Sequence, residues 1–189
     1  MSTAIPSIVH NLGGFSEFPW VFSIYLLTQA VTVPIYGRHS DVFGRKPVLF
    51  FGIGIFLIGS ALSGAAWSMV SLIVFRGLQG IGAGAVQPIA MTIVGDLYSA
   101  QERAKIQGFL ASVWAISAVI GPLAGGMIVK YFSWPWIFWM NLPIGLVASA
   151  GFVVFLHENL VPQQRKIDHW SAGIFMIAIA SVMAALTAI

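Results

Sequence analysis

Charged residues cut this chain into long uncharged blocks. Residues 18–37, 47–75, 77–95, 106–129, 131–156 and 170–189 carry no charge, and each block is close to or above the about 20 residues that a helix needs to cross a hydrocarbon core. The polar-aromatic run AWSMVS around Trp67 interrupts the block 47–75. The pattern predicts helices over residues 19–37, 47–66, 71–95, 106–129, 137–156 and 170–189. Residues 1–11 are apolar but too short to span, and Asn11-Leu12-Gly13-Gly14 reads as a turn, so this stretch is expected to be the end of a helix that begins earlier. The last block runs apolar to Ile189 without a stop signal and is also expected to continue. The expected organisation is a transmembrane bundle over residues 1–156 with its first helix truncated, a cytoplasmic loop over 157–169, and the start of a further transmembrane helix over 170–189.

Composition agrees with the pattern. With 58% hydrophobic residues, 8% charged residues and a mean hydropathy of +0.90, the surface of a soluble domain of this size could not be covered by polar groups. The fold class is therefore all-α integral membrane, with lipid as the first partner. The net charge of +3 is small and its basic residues are scattered in short patches, which gives nucleic-acid binding no support. Cysteine is absent, and the four histidines at 10, 39, 157 and 169 have no metal-ligand spacing. Neither a metal site nor an enzymatic nucleophile is proposed.

Basic residues set the orientation, because Lys and Arg are retained on the cytoplasmic side. Arg38, Arg45 and Lys46, then Arg103 and Lys105, then Arg165 and Lys166 occupy alternate loops, against Lys130 alone on the other side. Trp20, Trp67, Trp134 and Trp136 then fall at the outer ends, where indole rings favour the interface.

Arg76 lies inside a span, about one turn from its outer end. An arginine within a span costs at least about 2.5–3.5 kcal/mol at the helix centre and marks a functional site by default; the plainer reading is that it snorkels outward. Gly77, Gly80, Gly82 and Gly84 give the same helix a thin face for a close neighbour, and Gln79 and Gln87 add polar groups unsuited to lipid. Farther on, Gly121, Pro122, Gly125 and Gly126, with Gly108 and Ser117 at earlier turns, make a small face on a helix that proline should kink. That face is either a packing seam or a pivot. In the loop 38–46, Gly37 and Gly44 are expected to take turn conformations and Pro47 to open the next helix. Positive-inside anchoring accounts for Arg38, Arg45 and Lys46 but not for Asp41, which is expected either near a helix end or facing an arginine, Arg45 in particular, with Asp96 as a further partner.

These runs resemble the motifs of the major facilitator superfamily. Gly37-Arg38-His39-Ser40-Asp41-Val42-Phe43-Gly44-Arg45-Lys46-Pro47 is similar to its signature loop between helices 2 and 3, and Arg76, Gln79 and Gly80 stand as in its helix 4 motif. Gly108, Gly121, Pro122, Gly125 and Gly126 match the antiporter motif of helix 5, with Ser117 in place of one glycine. Trp134 to Gly145 resembles the tryptophan-rich stretch of the fourteen-span drug:proton antiporter branch. His39 stands where the family has leucine, and Pro135 replaces an arginine between the tryptophans. Ala4-Ile5-Pro6 resembles a first-helix triplet that in this branch follows an aspartate, and the sequence starts too close to the triplet to include that position.

The resemblance implies a six-helix amino-terminal bundle plus the start of a linker helix. It also implies a secondary transporter that exports lipophilic or cationic drugs by alternating access, driven by the proton gradient and without a cofactor. By it, Gly37, Arg38, Asp41, Gly44, Arg45, Lys46 and Asp96 form a cytoplasmic gate against the missing carboxy-terminal half, and Arg76 is the coupling cation. The Gly121-Pro122 helix seals the interface between halves, and Gln29, Gln87 and Trp114 line the substrate path. The implied location is the plasma or inner membrane, with multiple spans. Two other readings stay open: a non-transporting fragment or half-unit that needs a partner chain, and a proton-coupled uptake symporter of the same fold.

Overall fold

In a computed structural model of the chain, residues 2–155 and the single residue Ser181 are described. A 3-10 turn at Ser2–Ala4 leads into helix α1 (Ile5–Leu12), and a second turn at Phe15–Glu17 leads into α2 (Phe18–Phe43). There follow α3 (Arg45–Gly64), α4 (Met69–Leu97), α5 (Ala100–Tyr131), the one-turn α6 (Trp136–Trp139) and α7 (Asn141–Phe155). Among the described residues, five stretches are long and apolar enough to cross a membrane: Phe15–Phe43, Arg45–Gly64, Met69–Leu97, Ala100–Tyr131 and Trp136–Val154. The fold is all-α and multi-pass. The expected loop over 157–169 and the helix over 170–189 lie outside the described residues.

The connections are shorter than the charge pattern predicts. α2 continues through Arg38 and Asp41 to Phe43, so Gly37 is helical and takes no turn conformation. Gly44 alone breaks the chain, with φ at 93°, a conformation costly for any residue with a Cβ. Pro47 is accordingly the third residue of α3 rather than its first; its missing N–H falls among the first-turn donors that have no intrahelical partner anyway. Tyr98 and Ser99 alone separate α4 from α5, and Arg103 and Lys105 ride on the first turns of α5. Charged side chains at these ends reach water, so they need not stop a helix.

Capping fixes two of the starts. Ser68 and Ser71 each accept from the other's backbone N–H at the head of α4, at 3.2 and 3.0 Å. At the head of α5 the Glu102 carboxylate accepts from the Ser99 N–H at 2.9 Å and the Ser99 hydroxyl at 2.7 Å, the capping-box arrangement.

α4 is the central element, and its glycines make two thin faces instead of one. Toward α2, a Cβ on Gly80 would overlap the Thr28 hydroxyl and the Tyr25 carbonyl, and one on Gly84 would overlap Thr32. Toward α3, a Cβ on Gly82 would overlap the backbone of Phe56, and Gly52 and Gly59 of α3 approach Ala85 and Gln79 as closely. Backbones meet directly at these points, as small residues allow in lipid. Apolar clusters close both ends of this three-helix unit. One gathers Ile8, Phe18, Val21, Leu72, Trp134 and Phe138, and the other Tyr36, Leu49, Ile53, Ala85, Ile89 and Ile93.

α5 stands apart. It remains one continuous helix through Pro122, and of its residues only Gly125 is buried. A Cβ on Gly125 would meet the Thr3 hydroxyl at 2.8 Å, whereas one on Gly108, Gly121 or Gly126 would meet nothing within 4 Å.

Candidate functional site

Between the two apolar clusters, α4 carries Arg76. It is 8% exposed, so it turns inward instead of snorkelling. Its Nη1 donates to Gln79 Oε1 at 2.6 Å and its Nε to the Val21 carbonyl at 3.4 Å. The guanidinium carbon lies 4.0 Å from the centre of the Tyr25 ring and 5.9 Å from that of Phe138. A desolvated cation–π contact of about 2 kcal/mol and a hydrogen bond to a charged group of about 1.5–3 kcal/mol together are of the order of the about 2.5–3.5 kcal/mol that insertion scales give for an arginine. The inward position is therefore sustainable.

The chain of hydrogen bonds continues across three further elements. Gln79 Nε2 and Asn141 Nδ2 each donate to Ser60 Oγ at 3.0 Å, and that hydroxyl donates to the Phe138 carbonyl at 2.8 Å. Trp139 Nε1 donates to the Ala61 carbonyl at 3.3 Å. Sequence reasoning finds Arg76 and Gln79 but misses Tyr25, Ser60 and Asn141. Asn141 sits in the tryptophan-rich stretch and could have been suspected from there; Ser60 is one serine among many in an apolar helix.

At the basic end of the bundle, Arg45 is the hub. Its Nε lies 2.5 Å from Asp96 Oδ2, and its Nη1 lies 3.9 Å from Asp41 Oδ1. The predicted trio is thus brought together, but Asp96 is the close partner and Asp41 the loose one, with 57% of its side chain exposed. Arg45 opens α3 and Asp96 nearly ends α4. Each stands at the end of its helix that the macrodipole disfavours, and their pairing offsets both. Lys46 Nζ donates to the Val153 carbonyl at 3.3 Å, tying α3 to α7. Arg38 is exposed on the last turns of α2. Nearby, His39 Nδ1 is 2.8 Å from the Ile35 carbonyl, and its ring stacks on Phe43 with centres 5.8 Å apart.

A cavity of about 300 Å³ opens between α2, α3, α4 and α7, at the lower edge of the range for drug-sized ligands. Tyr25, Gln29, Phe56, Gln87 and Phe152 are among its lining residues. Two of the three expected lining residues, Gln29 and Gln87, meet here. Trp114 does not: it lies on α5 with 64% of its surface exposed.

Comparison with known proteins covers the whole chain. A family model described as Major Facilitator Superfamily matches residues 1–189. The chain is 42% identical over 186 residues to Multidrug resistance protein 3 of Bacillus subtilis, covering 98% of this chain and 36% of that protein. It is 42% identical over 191 residues to Multidrug transporter protein MdtP of the same organism, covering 99% and 35%. To the MFS-type efflux pump LUC4 of a Fusarium species it is 34% identical over 194 residues, covering 99% and 34%. The chain thus spans about a third of the length of these relatives.

Proposed function

Since this chain belongs to the major facilitator superfamily, we propose that it supplies the amino-terminal half of a proton-coupled exporter of lipophilic compounds that works by alternating access. The observation that carries this reading is Arg76, a charge held inside the bundle by a hydrogen-bond network and in contact with the ring of Tyr25, which also lines a cavity. A buried cation favours the ionised form of an acid that approaches it and responds when that acid takes up a proton. Arg76 is therefore the residue that senses proton entry. The names of the relatives, multidrug transporters and an efflux pump, support export over uptake. Gln29 and Gln87 orient the substrate by hydrogen bonds within an otherwise apolar wall.

In this reading the Arg45–Asp96–Asp41 group is the gate at the basic, cytoplasmic end. Arg45–Asp96 braces α3 against α4, while the exposed Asp41 carboxylate is the part offered to the other half. The uncovered glycines of α5 at 108, 121 and 126 favour the requirement for that other half, whether it lies in the same chain or in a partner.

The test is ethidium efflux from cells making the full-length protein that contains this chain. Efflux should depend on the pH gradient, stop when a protonophore dissipates it, and fall at least about tenfold in Arg76→Ala. Gradient-independent efflux, or equal efflux from Arg76→Ala, would contradict the coupling role. Proton-dependent accumulation of a nutrient would favour the symporter.

A further inference from the structure

Four groups surround the Arg76 guanidinium: the Gln79 amide oxygen, the Val21 carbonyl, the Tyr25 ring and, at 5.9 Å, the Phe138 ring. The cavity is lined from α2, α3, α4 and α7. Only Tyr25 belongs to both sets. Its backbone is closely packed, since the Tyr25 carbonyl lies so near Gly80 that a Cβ there would overlap it. The far side of Arg76 is held by hydrogen bonds, because Gln79 is tied through Ser60 to Asn141 and the Phe138 carbonyl. The Tyr25 side chain has no such tie among the described residues and can turn between its rotamers.

We propose that Tyr25 is the positioning residue through which occupancy of the cavity acts on Arg76, an inference that rests on the reading of cavity and arginine given above. A lipophilic molecule with an aromatic or cationic face, seated against Tyr25, competes with the guanidinium for the ring. When the ring turns to the ligand, Arg76 loses the nearer of its two cation–π partners while keeping Gln79, and the charge becomes available to an acid. By linkage, the state of Arg76 alters ligand affinity by the same factor. The contact needs the ring and not the phenol hydroxyl.

Ethidium binding to the full-length protein in proteoliposomes, followed by its fluorescence, tests this as a double-mutant cycle. Arg76→Gln should change the ethidium Kd by about fivefold or more in the wild-type and Tyr25→Phe backgrounds, and by less than about twofold in the Tyr25→Leu background. In gradient-driven transport, Tyr25→Phe should match the wild type, whereas Tyr25→Leu should lose about tenfold in rate with its Kd within about threefold. Additive effects in the cycle, a parallel loss of affinity and rate in Tyr25→Leu, or failure of phenylalanine to rescue would overturn the proposal. Tyr25→Met takes the place of the leucine variant if the latter does not reach the membrane. A wild type that binds ethidium without gradient-driven transport overturns the exporter reading instead, and the binding cycle still decides the role of Tyr25.

Discussion

Ser60 accepts from two side-chain amides and donates to one carbonyl, which uses the whole capacity of a hydroxyl for these roles. Ser63, one turn farther along the same helix, is equally buried, and its hydroxyl has no partner among the described residues. The two serines are indistinguishable by type, yet their removal should have opposite consequences. Ser60→Ala strands the Gln79 and Asn141 amides and should cost about 1–3 kcal/mol, read as a lower thermal midpoint in detergent. Ser63→Ala removes an unsatisfied group and should be neutral or stabilising. A similar contrast holds at the basic end: Asp96→Asn breaks the close contact with Arg45 and should cost about 1 kcal/mol, whereas Asp41→Asn should leave stability nearly unchanged and, if the proposed gate role holds, lower transport. Equal stability losses from both aspartates would place the brace elsewhere.

Among the helices, α4 differs from α5 in what its glycines meet. Gly82→Ala forces a Cβ onto the Phe56 backbone and should cost about 1–3 kcal/mol; Gly121→Ala meets nothing and should leave the thermal midpoint of this bundle unchanged. If Gly121→Ala nevertheless abolishes transport, its face is used in the complete transporter. The uncharged blocks predicted the five described spans because lipid imposes their length. They misplaced the helix ends, since Arg38 and Asp41 at a water-facing end cost nothing that would stop α2, and only the left-handed Gly44 does so. Arg76 and Gln79 were legible for the same physical reason, a charge and an amide being anomalous in a span. Ser60 and Tyr25 were not, because serine and tyrosine are common in such helices, and Asn141 was not, because it stands at the first position of α7, where a polar residue is unremarkable. Their importance comes from a packing between α2, α3, α4 and α7 that a linear pattern does not contain. The same limit explains Trp114, whose aromatic character suggested a binding wall while the position of α5 keeps it from the cavity.

For the molecule as a whole, most charges among the described residues lie at one basic end, Arg76 is buried, and Glu17 and Lys130 stand toward the opposite end. Arg76 lies in the central network between two apolar clusters, and the Arg45–Asp96 pair closes the far ends of α3 and α4. Both sites stand on α4, which is the element that would have to carry any proton response from Arg76 to the basic end in the proposed mechanism. The claim that Arg76 couples protons to export is tested most directly by an imposed gradient. The full-length protein is reconstituted into proteoliposomes with an acidic interior, and ethidium uptake is followed against collapse of the gradient by nigericin. The account predicts ethidium accumulation that requires the gradient and is lost in Arg76→Gln while ethidium binding persists. Accumulation that survives nigericin, or that Arg76→Gln supports at the wild-type rate, would contradict it.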